Sequence, residues 1–253
     1  MKTIDYDVLE IEDDEHVFHM WEPFKFEIKE DYKFVITNKF VKLVSNIVYV
    51  VVWPILWLIN VLLFGFKVYG REKLRNVEGG KVTVSNHVHP MDCTMTGLIN
   101  FPKRTYYPTL AQNFKIPVIR HIIRILYAIP IPTKIKQKER FLNEIEELLK
   151  EEKTIHMYPE GALWPYYEKI RQFKSGAFNI AVSANVPIIP IRYVFVKPKG
   201  IYKLYKRKKC INAIVLKPIY PDMNLKIPER IEDLENRTIK AMNSIESEST
   251  YKC

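Results

Sequence analysis

Lys81-Val82-Thr83-Val84-Ser85-Asn86-His87-Val88-His89-Pro90-Met91-Asp92 reads as a short β-prone run that ends in a polar loop and passes into a helix. Pro90 stands near the start of the helical segment Met91 to Leu98. Asp92 therefore falls in its first turn, where the backbone dipole favours a carboxylate, and His87 faces it across that turn. A second run of the same kind, Thr154-Ile155-His156-Met157-Tyr158, leads into the turn Pro159-Glu160-Gly161. Both motifs thus sit at strand ends, where open α/β sheets place their ligands.

Outward from these two stretches the pattern keeps alternating. Arg104 to Leu110 predicts a strand, Pro117 to Leu126 an amphipathic helix and Ala128 to Ile131 a short strand. Lys136 to Glu152 predicts a charged helix with Phe141, Ile145, Leu148 and Leu149 on one face. Gly176 to Ala184 reads as a short helix, Ile188 to Val194 and Ile211 to Leu216 as strands, and Ile231 to Ile245 as a closing helix. Alternation of this kind predicts an α/β fold, one domain with a central β-sheet flanked by helices.

Upstream, Ile47 to Phe66 is apolar apart from Asn60, with Lys39 and Lys42 before it and Lys67 and Arg71 after it. About 20 such residues are enough to cross a bilayer. Pro54, the internal Trp53 and Trp57 and the basic residues on both flanks favour instead a kinked or broken helix lying in one leaflet, with both ends on the cytoplasmic side. A buried core helix is the alternative, and so long an apolar run is unusual for one. The expected division is an acidic N-terminal segment at 1–37, a membrane-anchoring helical segment at 38–69 and the catalytic domain at 70–253.

A chain of 253 residues with 47% hydrophobic content can bury one good core, and no Gly/Ser-rich or Pro-rich linker divides it. The net charge of +10 is compatible with nucleic acid, anionic membranes or phosphorylated substrates. Cys93, Cys210 and Cys253 form no C-x-x-C, so neither a zinc cluster nor a disulfide framework is indicated, and a reduced, cytosolic setting is expected. The acidic residues from Asp5 to Glu15 stand where a secretory signal would need basic ones, and in that setting Asn236-Arg237-Thr238 is a chance glycosylation sequon.

Histidine has the side chain whose unperturbed pKa lies nearest neutrality, and a neighbouring carboxylate that fixes its tautomer suits it to take a proton from a hydroxyl. The set Asn86-His87-x4-Asp92, Pro159-Glu160-Gly161, Lys174-Ser175-Gly176-Ala177 and Val186-Pro187-Ile188-Ile189-Pro190-Ile191, in this order behind a membrane segment, resembles the glycerolipid acyltransferase family. The resemblance covers roughly residues 70 to 218. It implies that His87 deprotonates the acceptor hydroxyl, that Asp92 orients the ring, and that the substrate supplies the hydroxyl of a triad-like arrangement. No G-x-S-x-G elbow is present, consistent with direct transfer.

The resemblance further implies an acyl-CoA or acyl carrier protein thioester as donor and no cofactor. The acceptor it implies is lysophosphatidic acid, converted to phosphatidic acid, with Glu160 and Gly161 expected to help hold it. Membrane lipids are expected partners and nucleic acid is not.

The chain departs from the family in three places. His89 stands where Ser is frequent, Ala128 to Thr133 replace a Gly-Phe-Arg type block, and Ala162-Leu163-Trp164 replace Thr-Arg-Ser. Two phosphate-binding arginines are therefore missing, and Lys134, Arg171 and Lys174 are the candidates to replace them. Arg171 and Lys174 join Glu160 and Gly161 as the expected acceptor site.

Other readings remain open on the residues alone. His87, His89 and Asp92 suit a metal chemically, but the H-x-H-x-D-H spacing is not met, so no metal site is expected. The basic run Lys197 to Lys209, interleaved with Tyr202 and Tyr205, suits nucleic acid, anionic lipid heads, coenzyme A phosphates or a solvated hairpin tip. Transfer to another lysophospholipid or a neutral lyso-lipid, or a non-catalytic lipid-binding protein of the same fold, are the competing functions.

Overall fold

The β-branched runs become strands and the amphipathic stretches between them become helices, in a computed structural model that describes residues 26–245. The acidic cluster from Asp5 to Glu15 lies outside the described residues. Seven strands, β1 (Lys67–Tyr69), β2 (Lys81–Ser85), β3 (Thr105–Leu110), β4 (Ala128–Ile131), β5 (Thr154–Met157), β6 (Ile188–Val196) and β7 (Cys210–Val215), form one sheet in the order β1-β7-β6-β2-β5-β3-β4. All neighbours are parallel except β6 and β7, which form an antiparallel hairpin. The predicted mixed α/β architecture is thus the one observed.

Alternation along the central strands sorts the core into two layers. Val82, Val84, Ile155, Ile188 and Val194 pack on one face with α5 (Ile135–Lys150), α6 (Gly176–Ser183) and α8 (Ile227–Asn243). Ile189, Ile191, Tyr193 and Phe195 pack on the other with α1 (Lys39–Phe64), α2 (Glu72–Arg75) and α3 (Asp92–Asn100). Phe141, Ile145, Leu148 and Leu149 form the buried stripe of α5, as their spacing predicts. The closing helix starts at Ile227, ahead of its expected position, because Pro228 pre-sets the φ of a first helical turn.

Residues 26–37 extend the same core ahead of α1. Ile28 and Phe34 are buried, and side chains of α4 (Pro117–Ile125) and α5 satisfy the segment's backbone: Gln137 donates to Ile28 O at 2.7 Å, and Glu144 accepts from Val35 N at 2.8 Å.

α1 has the length and composition to cross a membrane. It runs as one helix through Pro54, so of the kink or break that the proline predicts, the break does not occur. Contacts on both sides of the proline dock it on the domain. Ser45 donates to Ile125 O at 2.5 Å, Tyr49 to Lys103 O at 3.0 Å and Asn60 Nδ2 to Thr94 Oγ1 at 3.0 Å, while the Trp53 ring lies on Gly97. A Cβ on Gly97 would stand 2.0 Å from Trp53 Cη2, so α3 has room for the indole only without one. The opposite face of α1, including Phe40, Ile47, Val51, Ile55, Leu58 and Leu62, is exposed and apolar.

Cys210, at the start of β7, is buried.

Candidate active site

β2 and β5 are neighbours at the centre of the sheet and end in register, with Val84 opposite Met157, so the loops that follow them leave side by side. Asn86 continues the β2–β6 pairing with its side chain. Its Nδ2 donates to Tyr193 O at 3.1 Å, and Tyr193 N donates back to Oδ1 at 2.8 Å.

Beyond that clamp, His87 Nδ1 lies 2.7 Å from Asp92 Oδ2. The same oxygen accepts the backbone N–H groups of Val88 at 3.1 Å and His89 at 3.3 Å, and Asp92 is fully buried. Because the carboxylate can only accept, Nδ1 carries the ring proton and Nε2 is left basic. Among the described residues Nε2 has no hydrogen-bond partner, and the side chain is 21% exposed, open enough for a ligand to reach it.

The loop after β5 holds the main chain of this turn. Glu160 Oε2 accepts His87 N at 3.1 Å and Arg171 Nη2 at 2.9 Å, and Oε1 accepts Arg171 N at 3.2 Å. Trp164 N donates to His87 O at 3.1 Å and Tyr166 N to Val88 O at 2.9 Å. Arg171 also donates to Ala162 O, and its guanidinium lies 4.6 Å from the Trp164 ring centre. Glu160 and Arg171 are both buried, so these two expected acceptor ligands form an ion pair beneath the His87 loop.

Gly161 turns at φ +73°, a conformation that side chains with a Cβ resist, and a Cβ there would also meet Lys174 Cε at 2.9 Å. Lys174 is itself exposed. His87, Asp92, Glu160, Gly161, Arg171 and Lys174 therefore come together. Among the described residues Lys134 makes no side-chain hydrogen bond or ion pair with them, lying exposed at the start of α5 beyond the edge strand β4. Leu163 and Trp164, at the positions of the missing family motif, are buried.

Two contributors were not anticipated. The Tyr158 ring stacks on His87 with centroids 4.0 Å apart and planes at 17°. Its hydroxyl is buried with no hydrogen-bond partner among the described residues, and burial holds its pKa well above the ordinary phenol value. Beneath it, buried His156 takes Thr83 Oγ1 at 2.9 Å and Ser85 Oγ at 3.3 Å, and burial pushes its pKa down to about 3, leaving it neutral at pH 7. The signal was the alternation of β5, which puts His156 and Tyr158 on one face.

His89 Nδ1 accepts Met91 N at 3.1 Å, and burial, with Lys208 and Lys206 against Asp92, lowers the pKa of the ring. Among the described residues no group of three or more His, Cys, Asp or Glu side chains is placed to hold a metal ion.

An imidazole backed by a buried carboxylate thus stands at the strand ends of an α/β sheet, with a helix docked beside it whose outer face is exposed and apolar. Residues 65–194 match the family model described as Acyltransferase, and the chain belongs to the acyltransferase family. It is 25% identical over 182 residues to a chloroplast 1-acyl-sn-glycerol-3-phosphate acyltransferase of Brassica napus, a match covering 70% of this chain and 51% of the relative. The chain thus spans about half the length of that relative. The crystal structure of the 1-acyl-sn-glycerophosphate (LPA) acyltransferase PlsC from Thermotoga maritima shares the fold, with a TM-score of 0.52 at 20% identity over 82% of this chain and 89% of that one.

Proposed function

We propose that the protein is a membrane-associated O-acyltransferase that moves a fatty acyl group from the thioester of acyl-CoA or acyl carrier protein to the hydroxyl of lysophosphatidic acid, giving phosphatidic acid. The observation that carries this reading is the 2.7 Å contact between His87 Nδ1 and Asp92 with Nε2 left without a partner among the described residues. Nε2 takes the acceptor's hydroxyl proton as its oxygen attacks the thioester carbonyl. The tetrahedral intermediate then collapses, the C–S bond breaks, and the imidazolium returns the proton to the leaving sulfur. Asp92 stabilises the imidazolium between these steps. Glu160 and Arg171 fix the His87 main chain, while Gly161 and Lys174 face the acceptor.

Membrane association is assigned to α1. Its docked stripe runs from Ser45 to Asn60, about 22 Å of helix at ~1.5 Å per residue, so the helix lies along the domain instead of leaving it. The apolar face then enters one leaflet, with both ends and the domain on the cytoplasmic side. Modification of a cysteine near Ser45 and of one near Tyr69 from opposite faces of sealed vesicles would replace this arrangement with a membrane span.

Transfer to a neutral or differently charged lyso-lipid is the second reading. It is favoured by buried, apolar Leu163 and Trp164 and by the pairing of Arg171 with Glu160, which leave Lys174 as the exposed cation among the expected acceptor residues. A thioester-release assay across lyso-acceptors tests both. Lysophosphatidic acid should give the highest kcat/KM; preference for an uncharged acceptor would establish the second reading, and no release with any acceptor would remove both.

A further inference from the structure

The hairpin between β6 and β7, residues 197–209, takes no part in the chemistry above. It carries seven Lys or Arg residues and no acidic one. Lys197, Lys199, Lys203 and Arg207 are exposed. Between them, on α7 (Tyr202–Tyr205) and the residue before it, stand two aliphatic side chains with little cover: Leu204 is 85% and Ile201 68% exposed. A single exposed leucine is ordinary on a soluble surface. Two at the tip of a cationic hairpin give it the composition of an interfacial membrane contact, in which apolar side chains enter the headgroup boundary while cations meet anionic lipid.

The tip is also fixed to the lipid-facing helix. Tyr205 Oη donates to Leu62 O at 2.7 Å and Lys206 Nζ to Leu63 O at 2.5 Å, so two side chains of the hairpin satisfy carbonyls in the last turn of α1. Leu62 and Leu63 are themselves exposed and apolar, which makes the apolar tip continuous with the outer face of α1. A cation near the negative end of a helix is favoured there as well.

We propose that this hairpin tip is a second membrane contact, selective for anionic bilayers, that inserts Ile201 and Leu204 beside the end of α1. Nucleic acid and the phosphates of coenzyme A would engage the cations but leave the aliphatic side chains without a role. The proposal rests on the reading of α1 as a membrane element, and its test separates the two.

The full chain carrying Leu204→Trp is reconstituted into vesicles of phosphatidylcholine alone or of phosphatidylcholine with phosphatidylglycerol, and its emission is compared with that of the parent. In anionic vesicles the added indole is expected to be quenched by brominated lipid and shielded from iodide. Adding Lys199→Glu and Lys203→Glu should reduce the shielded fraction roughly tenfold, leaving thioester turnover in detergent unchanged. An indole equally open to iodide in both vesicle types, or one shielded by free coenzyme A and not by anionic lipid, overturns the proposal. Release of the parent protein from both vesicle types would instead overturn the reading of α1.

Discussion

The backbone N–H of His87 donates to Glu160 at 3.1 Å, and the same carboxylate oxygen is paired at 2.9 Å with Arg171. The turn that carries the proposed general base therefore hangs on a buried ion pair contributed by the neighbouring strand's loop. A buried pair of this kind is stable only while both charges are present and hydrogen-bonded, because one charge left alone in a dry site has lost its water without compensation.

Arg171→Ala is accordingly expected to cost about 3–5 kcal/mol of stability by stranding Glu160, and to lower kcat more than it raises the acceptor KM. Pairing Arg171→Met with Glu160→Gln should recover part of that loss, since both charges are then gone. Denaturation in detergent and steady-state kinetics check this. A fully stable Arg171→Ala protein with only the acceptor KM raised would make Arg171 an acceptor ligand instead.

The docking of α1 is tested at its closest approach. Gly97→Ala places a methyl group 2.0 Å from Trp53 Cη2 and should cost about 1–3 kcal/mol through overpacking. In a Trp53→Leu background the same change should cost much less, because the clashing ring is absent. A double-mutant cycle in thermal unfolding gives the coupling. Strictly additive losses would mean that the indole does not rest on Gly97.

The alternation of short strands and amphipathic helices was legible in the sequence because its signal is local. Each strand needs only its own β-branched run, and each helix only its own apolar stripe. The pairing of His87 with Asp92 was legible for the same reason, since five residues across a strand-to-helix turn fix both partners. What the sequence did not disclose depends on distant partners. The ion pair of Glu160 with Arg171 needs the path of the intervening loop, and the three-residue strand β1 exists only because β7 lies beside it. Pro54 signalled a kink or a break, and the helix is continuous there, docked on either side of the proline through Tyr49 and Asn60. His156 looked like any strand histidine until Thr83 and Ser85 closed over both ring nitrogens.

That burial gives His156 a pH signature. Its folded pKa of about 3 lies below the ordinary histidine value of 6.5, so between these two limits the unfolded chain binds a proton that the folded chain excludes. Stability from this group is complete above pH 6.5 and falls as the pH drops toward 3, by up to ~1.4 kcal/mol per pH unit. His156→Gln removes the titration. The difference in unfolding free energy between parent and variant should therefore shrink as the pH is lowered from 7 to 4. A difference independent of pH would show that His156 is not held neutral.

The chemistry itself is tested at His87 and Asp92. His87→Ala keeps the Glu160 bond to its backbone N–H, so the protein should fold and bind membranes while kcat falls by about 10² to 10⁴, the usual worth of general-base assistance. Asp92→Asn can keep an oxygen at the position that accepts from Val88, His89 and the imidazole. It would preserve the tautomer but lose the charge that stabilises the imidazolium, so its kcat should drop severely with both KM values little changed. Dialysis against a strong chelator should leave turnover unaffected, and a loss restored by metal would reassign His87, His89 and Asp92 as ligands. Purified His87→Ala protein that consumed thioester and acceptor at the parental rate would remove the general base from the mechanism, whichever lyso-lipid proved to be the acceptor.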